Sequence, residues 1–262
     1  MNRSIGVFDS GMGGLSTLIE LKKVLPNENF IYYGDSENAP YGTRSVDDIL
    51  NLSINVAEDL ISRDIKALVI ACNTATSAAA KSLREKYKDL IIIGVEPALK
   101  VGIDSGSKNM MVMATNATLS QDKFKNLSSN YIDSCNIIGV PCPELVKIAE
   151  EGLLENEDIC KKQLELYFKD IDKEKLDTIV LGCTHFIFYK DYIKEIVGEN
   201  CSIVDGNLGT ALHLKNKLSE QGLLKKTKDI GSIEFINSQI IKENEINKLE
   251  LSKKIYNMYS KK

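Results

Sequence analysis

The sequence predicts an α/β chain made of two similar halves, each a mainly parallel sheet with helical crossovers. Three observations carry that prediction. Short apolar runs recur along the chain, and each stops abruptly at small or polar residues before a helical stretch. Two of these strand ends carry cysteine, in Val69-Ile70-Ala71-Cys72-Asn73-Thr74 and Val180-Leu181-Gly182-Cys183-Thr184-His185, separated by 111 positions. Other strand ends repeat at nearly the same offset: Asp9 against Thr115 by 106, and Asp35 against Cys142 by 107. Three similar offsets in one order are the mark of a duplicated architecture.

Taken in order, Ile5–Phe8 is the first strand, and Asp9-Ser10-Gly11-Met12-Gly13-Gly14 follows it. The glycines permit a tight turn, but their spacing fits neither a dinucleotide fingerprint nor a P-loop. Asp9 reads either as the cap of helix Leu15–Val24 or as a carboxylate beside a reacting centre. Phe30–Tyr33 is the next strand, and the polar loop through Pro40-Tyr41-Gly42 reads either as turn chemistry or as donors suited to an anion. Ser45 and Asp48 form a helix start, and Ile49, Leu52, Val56, Leu60 and Ile61 fall at helical spacing as core. After Cys72, helix Ala78–Tyr87 leads to strand Leu90–Val95, closed by Glu96-Pro97. Thr115-Asn116-Ala117-Thr118 ends the next strand with two hydroxyls, and Pro141-Cys142-Pro143 ends another, with Cys142 read as structural. Helix Glu144–Gly152 carries Glu150. Residues Glu155–Lys175 read as one charged amphipathic helix with Leu164, Tyr167, Phe168 and Ile171 inward. Helix Tyr189–Val197, strand Ser202–Val204, helix Leu208–Leu218, edge strand Ser232–Asn237 and closing helix Glu245–Tyr259 complete the chain.

Composition narrows the function. With 262 residues the chain can bury a large core, as one large or two moderate domains. The net charge of −4 favours neither nucleic acid nor an anionic membrane as partner. No apolar stretch approaches membrane-spanning length, and no secretory signal is read, so a cytoplasmic protein with reduced thiols is expected. Six cysteines contain no C-x-x-C pair, and there are only two histidines, His185 and His213, so no metal site is expected.

Cys72 reads as a buried small hydrophobe or as a thiol at a helix N-terminus, where the thiolate is favoured. The second copy at Cys183 weighs towards chemistry. Two thiols facing each other across a pocket suit removal of a proton from one face of a carbon and delivery to the other, which is racemisation or epimerisation. That needs one thiolate and one thiol. His185 is placed to assist Cys183, and Asp9 to assist Cys72. With no P-loop, dinucleotide fingerprint or lysine cofactor site, the economical reading is direct proton transfer without a cofactor. Donors to the substrate carboxylate and exclusion of water would then have to stabilise the carbanion.

Asp9-Ser10-Gly11-Met12-Gly13-Gly14-Leu15, Pro40-Tyr41-Gly42, Ala71-Cys72-Asn73-Thr74-Ala75-Thr76, Gly94-Val95-Glu96-Pro97-Ala98 and Gly182-Cys183-Thr184-His185 stand in an order that resembles the glutamate racemases. These are cofactor-independent members of the aspartate/glutamate racemase superfamily. The resemblance implies two pseudo-symmetric Rossmann-like, doubly wound domains with the active site between them. Residues 1–96 and 208–262 would form the first domain, and 97–207 the second, inserted one. It implies supply of D-glutamate for peptidoglycan, glutamate as the small-molecule substrate, and a homodimer. By motif, Cys72 would act on the α-proton of D-glutamate and Cys183 on that of L-glutamate, supported by Asp9 and His185. Ser10, Asn73, Thr74 and Thr184 would hold the amino and carboxylate groups, and Tyr41 and Gly42 a carboxylate. Thr115 and Thr118 match a hydroxyl-bearing strand end near the site, and Glu150 a glutamate near the second cysteine.

The chain departs from the family pattern in three places. Phe186-Ile187 stands where Tyr-Pro is usual, Asn116-Ala117 separates Thr115 from Thr118, and Asp205-Gly206-Asn207 lacks the usual serine. The rival readings are a racemase of aspartate or hydantoin type and a catalytically silent ligand-binding regulator. Thr76, where aspartate enzymes typically place a histidine, argues against the first; both cysteines and His185 argue against the second.

Overall fold

The structure is a computed structural model that describes residues 3–120, 124, 129, 131, 135–243 and 245–261. The chain divides into two compact units, Met1–Glu96 with Asn207–Lys262, and Pro97–Gly206.

In the first unit, strands β1 (Ile5–Asp9), β2 (Phe30–Gly34), β3 (Ala67–Ile70), β4 (Ile91–Gly94) and β9 (Ile233–Asn237) form one sheet in the order β4-β3-β1-β2-β9. Every pairing is parallel. The chain leaves β1 for β2 on one side, then returns to β3 on the other. The strand order therefore reverses between β1 and β3, and ligands bind outside the carboxyl ends of strands at such a point. Helices α1 (Leu15–Val24), α2 (Val46–Ser62) and α3 (Asn73–Lys86) are the crossovers. Right-handed crossovers to opposite sides of β1 put α1 on one face and α2 on the other. Phe8, Leu68, Ile70 and Ile92 pack in one buried cluster with Ile49, Val56 and Leu60 of α2 and Ala75, Ala79 and Leu83 of α3. Helix α1 instead packs on α9 (Asn207–Glu220) and α10 (Lys248–Tyr259), with Leu15, Leu18 and Leu21 buried.

In the second unit, β5 (Asn109–Ala114), β6 (Asn136–Pro141), β7 (Thr178–Leu181) and β8 (Ser202–Val204) form a parallel sheet in the order β6-β5-β7-β8. Reversed, that is 8-7-5-6, the same order as 4-3-1-2 in the first unit. The repeated offsets in the sequence thus correspond to a repeated topology, and the second reversal falls between β5 and β7. Helices α4 (Ala98–Asp104), α5 (Asn116–Ser120), α6 (Pro143–Glu150), α7 (Glu157–Phe168) and α8 (Lys190–Val197) accompany these strands.

Several element boundaries differ from the sequence reading. Helix α3 begins at Asn73, because Cys72 caps it and starts the helix five residues ahead of the alanine run. The stretch 155–175 is not one helix: α7 runs from an Asn156 cap to Phe168, and a 3₁₀ turn, Lys173–Lys175, follows. Asp170 and Asp172, which favour turns over helix interiors, lie between them. A 3₁₀ turn, Thr184–Tyr189, precedes α8, and α10 starts at Lys248 behind an Asn247 cap. Ser45 does cap α2: its hydroxyl accepts from the Asp48 N–H at 3.1 Å and donates to the Asp48 carboxylate at 2.7 Å.

At the amino ends of the first sheet lies a buried ion pair. Lys66 Nζ is 2.5 Å from Glu28 Oε2, with side chains 1% and 3% exposed. Lys66 also donates to the Leu223 carbonyl at 2.8 Å, and Glu28 accepts from the Lys225 N–H at 2.8 Å. The pair fastens the segment leading into β9 to the starts of β2 and β3. Among the described residues no helix is long and apolar enough to cross a membrane.

Candidate active site

In the first unit the chemistry gathers where β1 and β3 end. Phe8 and Ile70 are register partners, and the Ala71 N–H donates to the Phe8 carbonyl, so the chain ends at Ser10 and Cys72 leave the sheet side by side. Cys72 Sγ lies 3.6 Å from Ser10 Oγ and accepts the Ala75 N–H at 3.4 Å. The sulfur thus sits on the first turn of a 14-residue helix, where free N–H groups and the helix dipole favour negative charge. Asn73 and Thr74 are the first two residues of that helix.

Asp9 is fully buried, and its Oδ1 accepts the Gly11 N–H at 2.9 Å. It does not cap α1. The cap position is Gly14, which has no side chain to offer, so the capping reading of Asp9 is set aside. A Cβ on Gly14 would stand 2.5 Å from Asp9 Cβ and 3.0 Å from Ala71 Cβ. Glycine therefore lets the helix start press against both strand ends. Gly14→Ala is expected to cost about 1–3 kcal/mol through overpacking, read as a lower urea midpoint together with reduced activity.

The Pro-Tyr-Gly loop forms a 3₁₀ turn, Tyr41–Thr43, that includes Gly42. Tyr41 is fully buried, and its hydroxyl donates to Asp35 Oδ2 at 2.5 Å. Burial, and then the Asp35 carboxylate, push the phenol far above its ordinary pKa, and Cys72 and Asp9 add to the effect. Tyr41 therefore remains a neutral donor facing the same strand ends. Its hydroxyl is committed to Asp35, so the loop offers a ligand its backbone N–H groups. Asp35 also accepts from Asn38 Nδ2, and its own N–H donates to the Asp9 carbonyl. The sequence marks Asp35 as a repeated strand end and assigns it no role at the site. Its signal was an acidic strand end like that of Asp9. Tyr41→Phe is expected to cost about 1–3 kcal/mol by leaving a buried carboxylate oxygen short of a donor, measured by equilibrium urea unfolding.

In the second unit Cys183 follows β7, and His185 and Glu150 extend from it as a chain. Cys183 Sγ is 3.7 Å from His185 Nδ1, and His185 Nε2 is 2.8 Å from Glu150 Oε1. His185 is buried, and Glu150 ends helix α6. Burial opposes charge on the imidazole. Its hydrogen bonds to Cys183 and Glu150, and their charges, outweigh that and raise its pKa well above the ordinary value. The 3₁₀ turn that presents Thr184 and His185 closes with the Phe186 N–H on the Cys183 carbonyl at 3.0 Å. The turn therefore forms with Phe186-Ile187 in place of Tyr-Pro. Tyr189 OH donates to the Leu145 carbonyl at 2.6 Å, tying the turn to the helix that carries Glu150.

Thr115 follows β5, and its Oγ1 accepts the Thr118 N–H at 3.2 Å and lies 3.0 Å from the Thr118 hydroxyl. Cys142 follows β6, fully buried, with Sγ 3.3 Å from the Val140 carbonyl. Burial, and then Cys183, push its thiol up, which suits a structural sulfur. The first unit thus gathers Asp9, Ser10, Tyr41, Gly42, Cys72, Asn73 and Thr74, and the second Cys183, Thr184, His185 and Glu150, with Thr115 and Thr118 on the neighbouring strand end. Among the described residues no group of three or more His, Cys, Asp or Glu could hold a metal ion.

Comparison with known proteins bears on this arrangement. The model of the Asp/Glu/Hydantoin racemase family matches residues 16–211. A glutamate racemase of Clostridium perfringens (strain SM101 / Type A) is 50% identical over 257 residues, 97% of this chain and 96% of that protein. Among solved structures, the glutamate racemase isoform RacE1 from Bacillus anthracis superposes with a TM-score of 0.84 at 29% identity, covering 98% of this chain and 93% of that one. The glutamate racemase of Francisella tularensis subsp. tularensis SCHU S4, solved in complex with D-glutamate, gives 0.81 at 28% identity, covering 98% and 94%.

Proposed function

Because this chain belongs to the Asp/Glu/Hydantoin racemase family, we propose that it interconverts L- and D-glutamate by proton transfer between two thiols, without a cofactor. One observation carries the reading. In each unit a cysteine follows the strand at the sheet's reversal point, within reach of a partner that can manage its proton: Ser10 and the α3 N-terminus for Cys72, His185 for Cys183.

One cysteine, as thiolate, takes the α-proton; the other, as thiol, delivers a proton to the opposite face. Cys72 serves the D-enantiomer and Cys183 the L-enantiomer, as the motifs assign them. Asp9 supports the first thiol, and His185, anchored by Glu150, the second. Ser10, Asn73, Thr74 and Thr184 hold the amino and α-carboxylate groups. The backbone N–H groups of Tyr41 and Gly42 take a carboxylate, and Thr115 and Thr118 contribute hydroxyls. Donors gathered on the carboxylate stabilise charge as it builds on the carbanion. The product is D-glutamate for peptidoglycan, made in the cytoplasm by a homodimer.

The test is purified protein with L-glutamate and no added cofactor, followed by circular dichroism, with L-aspartate in parallel. Decay of the glutamate signal to zero with aspartate unchanged is expected. Aspartate turnover in its place, or ligand binding without turnover of either, would overturn the assignment.

A further inference from the structure

The chain turns from β3 into α3 over two residues, Ala71 and Cys72, and the side chain of Thr76 closes that turn. Ile70 and Gly94 are the last register partners of β3 and β4. The Ala71 N–H is donated to Phe8 on the β1 side, so alternation along the strand turns the Ile70 carbonyl towards β4. A further ladder bond would bring that carbonyl the Val95 N–H. The Thr76 hydroxyl stands between the two groups. It accepts the Val95 N–H at 3.1 Å and donates to the Ile70 carbonyl at 3.0 Å.

A helical threonine that bonds a backbone carbonyl ordinarily reaches three or four residues back. Thr76 reaches six, past the start of its own helix, to the strand that the helix follows. Its N–H meanwhile donates to the Cys72 carbonyl at 2.8 Å. Thr76 thus holds both ends of the Ala71-Cys72 segment. The seat is also shaped for it: Thr76 is buried, and a Cβ on Gly94 would overlap its methyl group.

We propose that Thr76 is a positioning residue for Cys72. Its hydroxyl is a wedge that stops the β3–β4 ladder at Ile70 and sets the sulfur beside Ser10, on the first turn of α3. Without the hydroxyl, the Ile70 carbonyl and the Val95 N–H are buried and short of a partner. Closing the ladder or admitting water relieves that, and either one shifts Ala71 and Cys72. The inference deepens the proposed function and rests on it in taking Cys72 as a reacting thiol.

Three variants of the full chain test it. Thr76→Val keeps the shape and removes both bonds, Thr76→Ser keeps the hydroxyl, and Gly94→Ala keeps Thr76 but pushes it off its seat. Iodoacetamide alkylation of ligand-free protein at alkaline pH, followed at each cysteine by peptide mass spectrometry, is read beside kcat and KM for glutamate. In Thr76→Val the freed turn should let Cys72 react several-fold faster, while Cys183, in the other unit, keeps its rate. Because proton transfer is far more sensitive to small displacements than binding is, kcat should fall roughly 10- to 100-fold while KM rises less than about threefold. Gly94→Ala should follow Thr76→Val, and Thr76→Ser should restore most of both quantities. A Cys72 rate unchanged in Thr76→Val and Gly94→Ala would overturn the inference. Faster alkylation of both cysteines alike would do the same, because it marks a general loosening, as would a Thr76→Ser protein no better than Thr76→Val. Should the wild type leave glutamate unchanged, the glutamate reading falls, and the alkylation rates alone still uphold or overturn the hold of Thr76 on Cys72.

Discussion

Cys72→Ala and Cys183→Ala are each expected to lower glutamate racemisation by roughly 10²- to 10⁴-fold, the range for loss of a positioned acid or base. The size follows from the division of labour. Removing either thiol leaves one face of the α-carbon without a proton acceptor or donor, and a racemase must use both faces in each turnover. Neither neighbour is a substitute. Ser10 beside Cys72 is an alcohol, far weaker as an acid than a thiol, and His185 is engaged with Glu150 through its other nitrogen. The loss corresponds to about 2.7–5.5 kcal/mol of transition-state stabilisation. Both variants should fold, because alanine fills most of the space of a buried cysteine, and a far-ultraviolet circular dichroism spectrum like that of the wild type checks it. Progress curves in both directions are the measurement. Retention of more than a tenth of the activity in either variant would remove that thiol from the mechanism.

Lys66→Ala is expected to be the most damaging change away from the site, at about 3–5 kcal/mol, the cost of breaking a buried ion pair from one side. The Glu28 carboxylate would remain buried, holding the Lys225 N–H but without the ammonium it pairs with. The Leu223 carbonyl would lose its donor in the same step. Urea unfolding followed by tyrosine fluorescence reads the loss. Replacing both members, as Lys66→Met with Glu28→Met, should recover part of it, since paired replacement by apolar groups is often neutral. Recovery stays incomplete because Glu28 also satisfies the backbone of Lys225. At low temperature the folded fraction of Lys66→Ala should keep wild-type kcat, because the pair lies at the amino ends of the strands and the cysteines follow carboxyl ends.

The sequence made the strands legible because a buried parallel strand is nearly all apolar and must stop where polar chemistry begins. Ile5–Asp9, Ala67–Ile70 and Thr178–Leu181 each do so. It made the duplication legible because the crossover lengths were kept. Helix α3 was misplaced because Asn73-Thr74-Ala75-Thr76 has weak helix propensity, and its start is set by the Cys72 sulfur accepting a backbone N–H, a cap outside the usual set. The 155–175 stretch was overextended because its charges continue at helical spacing while Asp170 and Asp172 end the helix. The pairing of His185 with Glu150 spans 35 positions, and that of Lys66 with Leu223 spans 157. No local pattern encodes such contacts, and only the family resemblance pointed to Glu150. Asp35 is legible in the sequence as a strand end but not as a site residue, because its importance lies in the hydroxyl of Tyr41, six positions on.

The central claim is proton transfer by two bases acting on opposite faces. L-Glutamate with its α-proton intact, mixed with the protein in deuterated water and stopped within the first few per cent of conversion, tests it most directly. The account predicts D-glutamate carrying α-deuterium, beside residual L-glutamate that keeps its α-proton. D-Glutamate retaining the original α-proton, or deuterium entering both enantiomers equally from the start, would mean that a single base serves both faces and would contradict it.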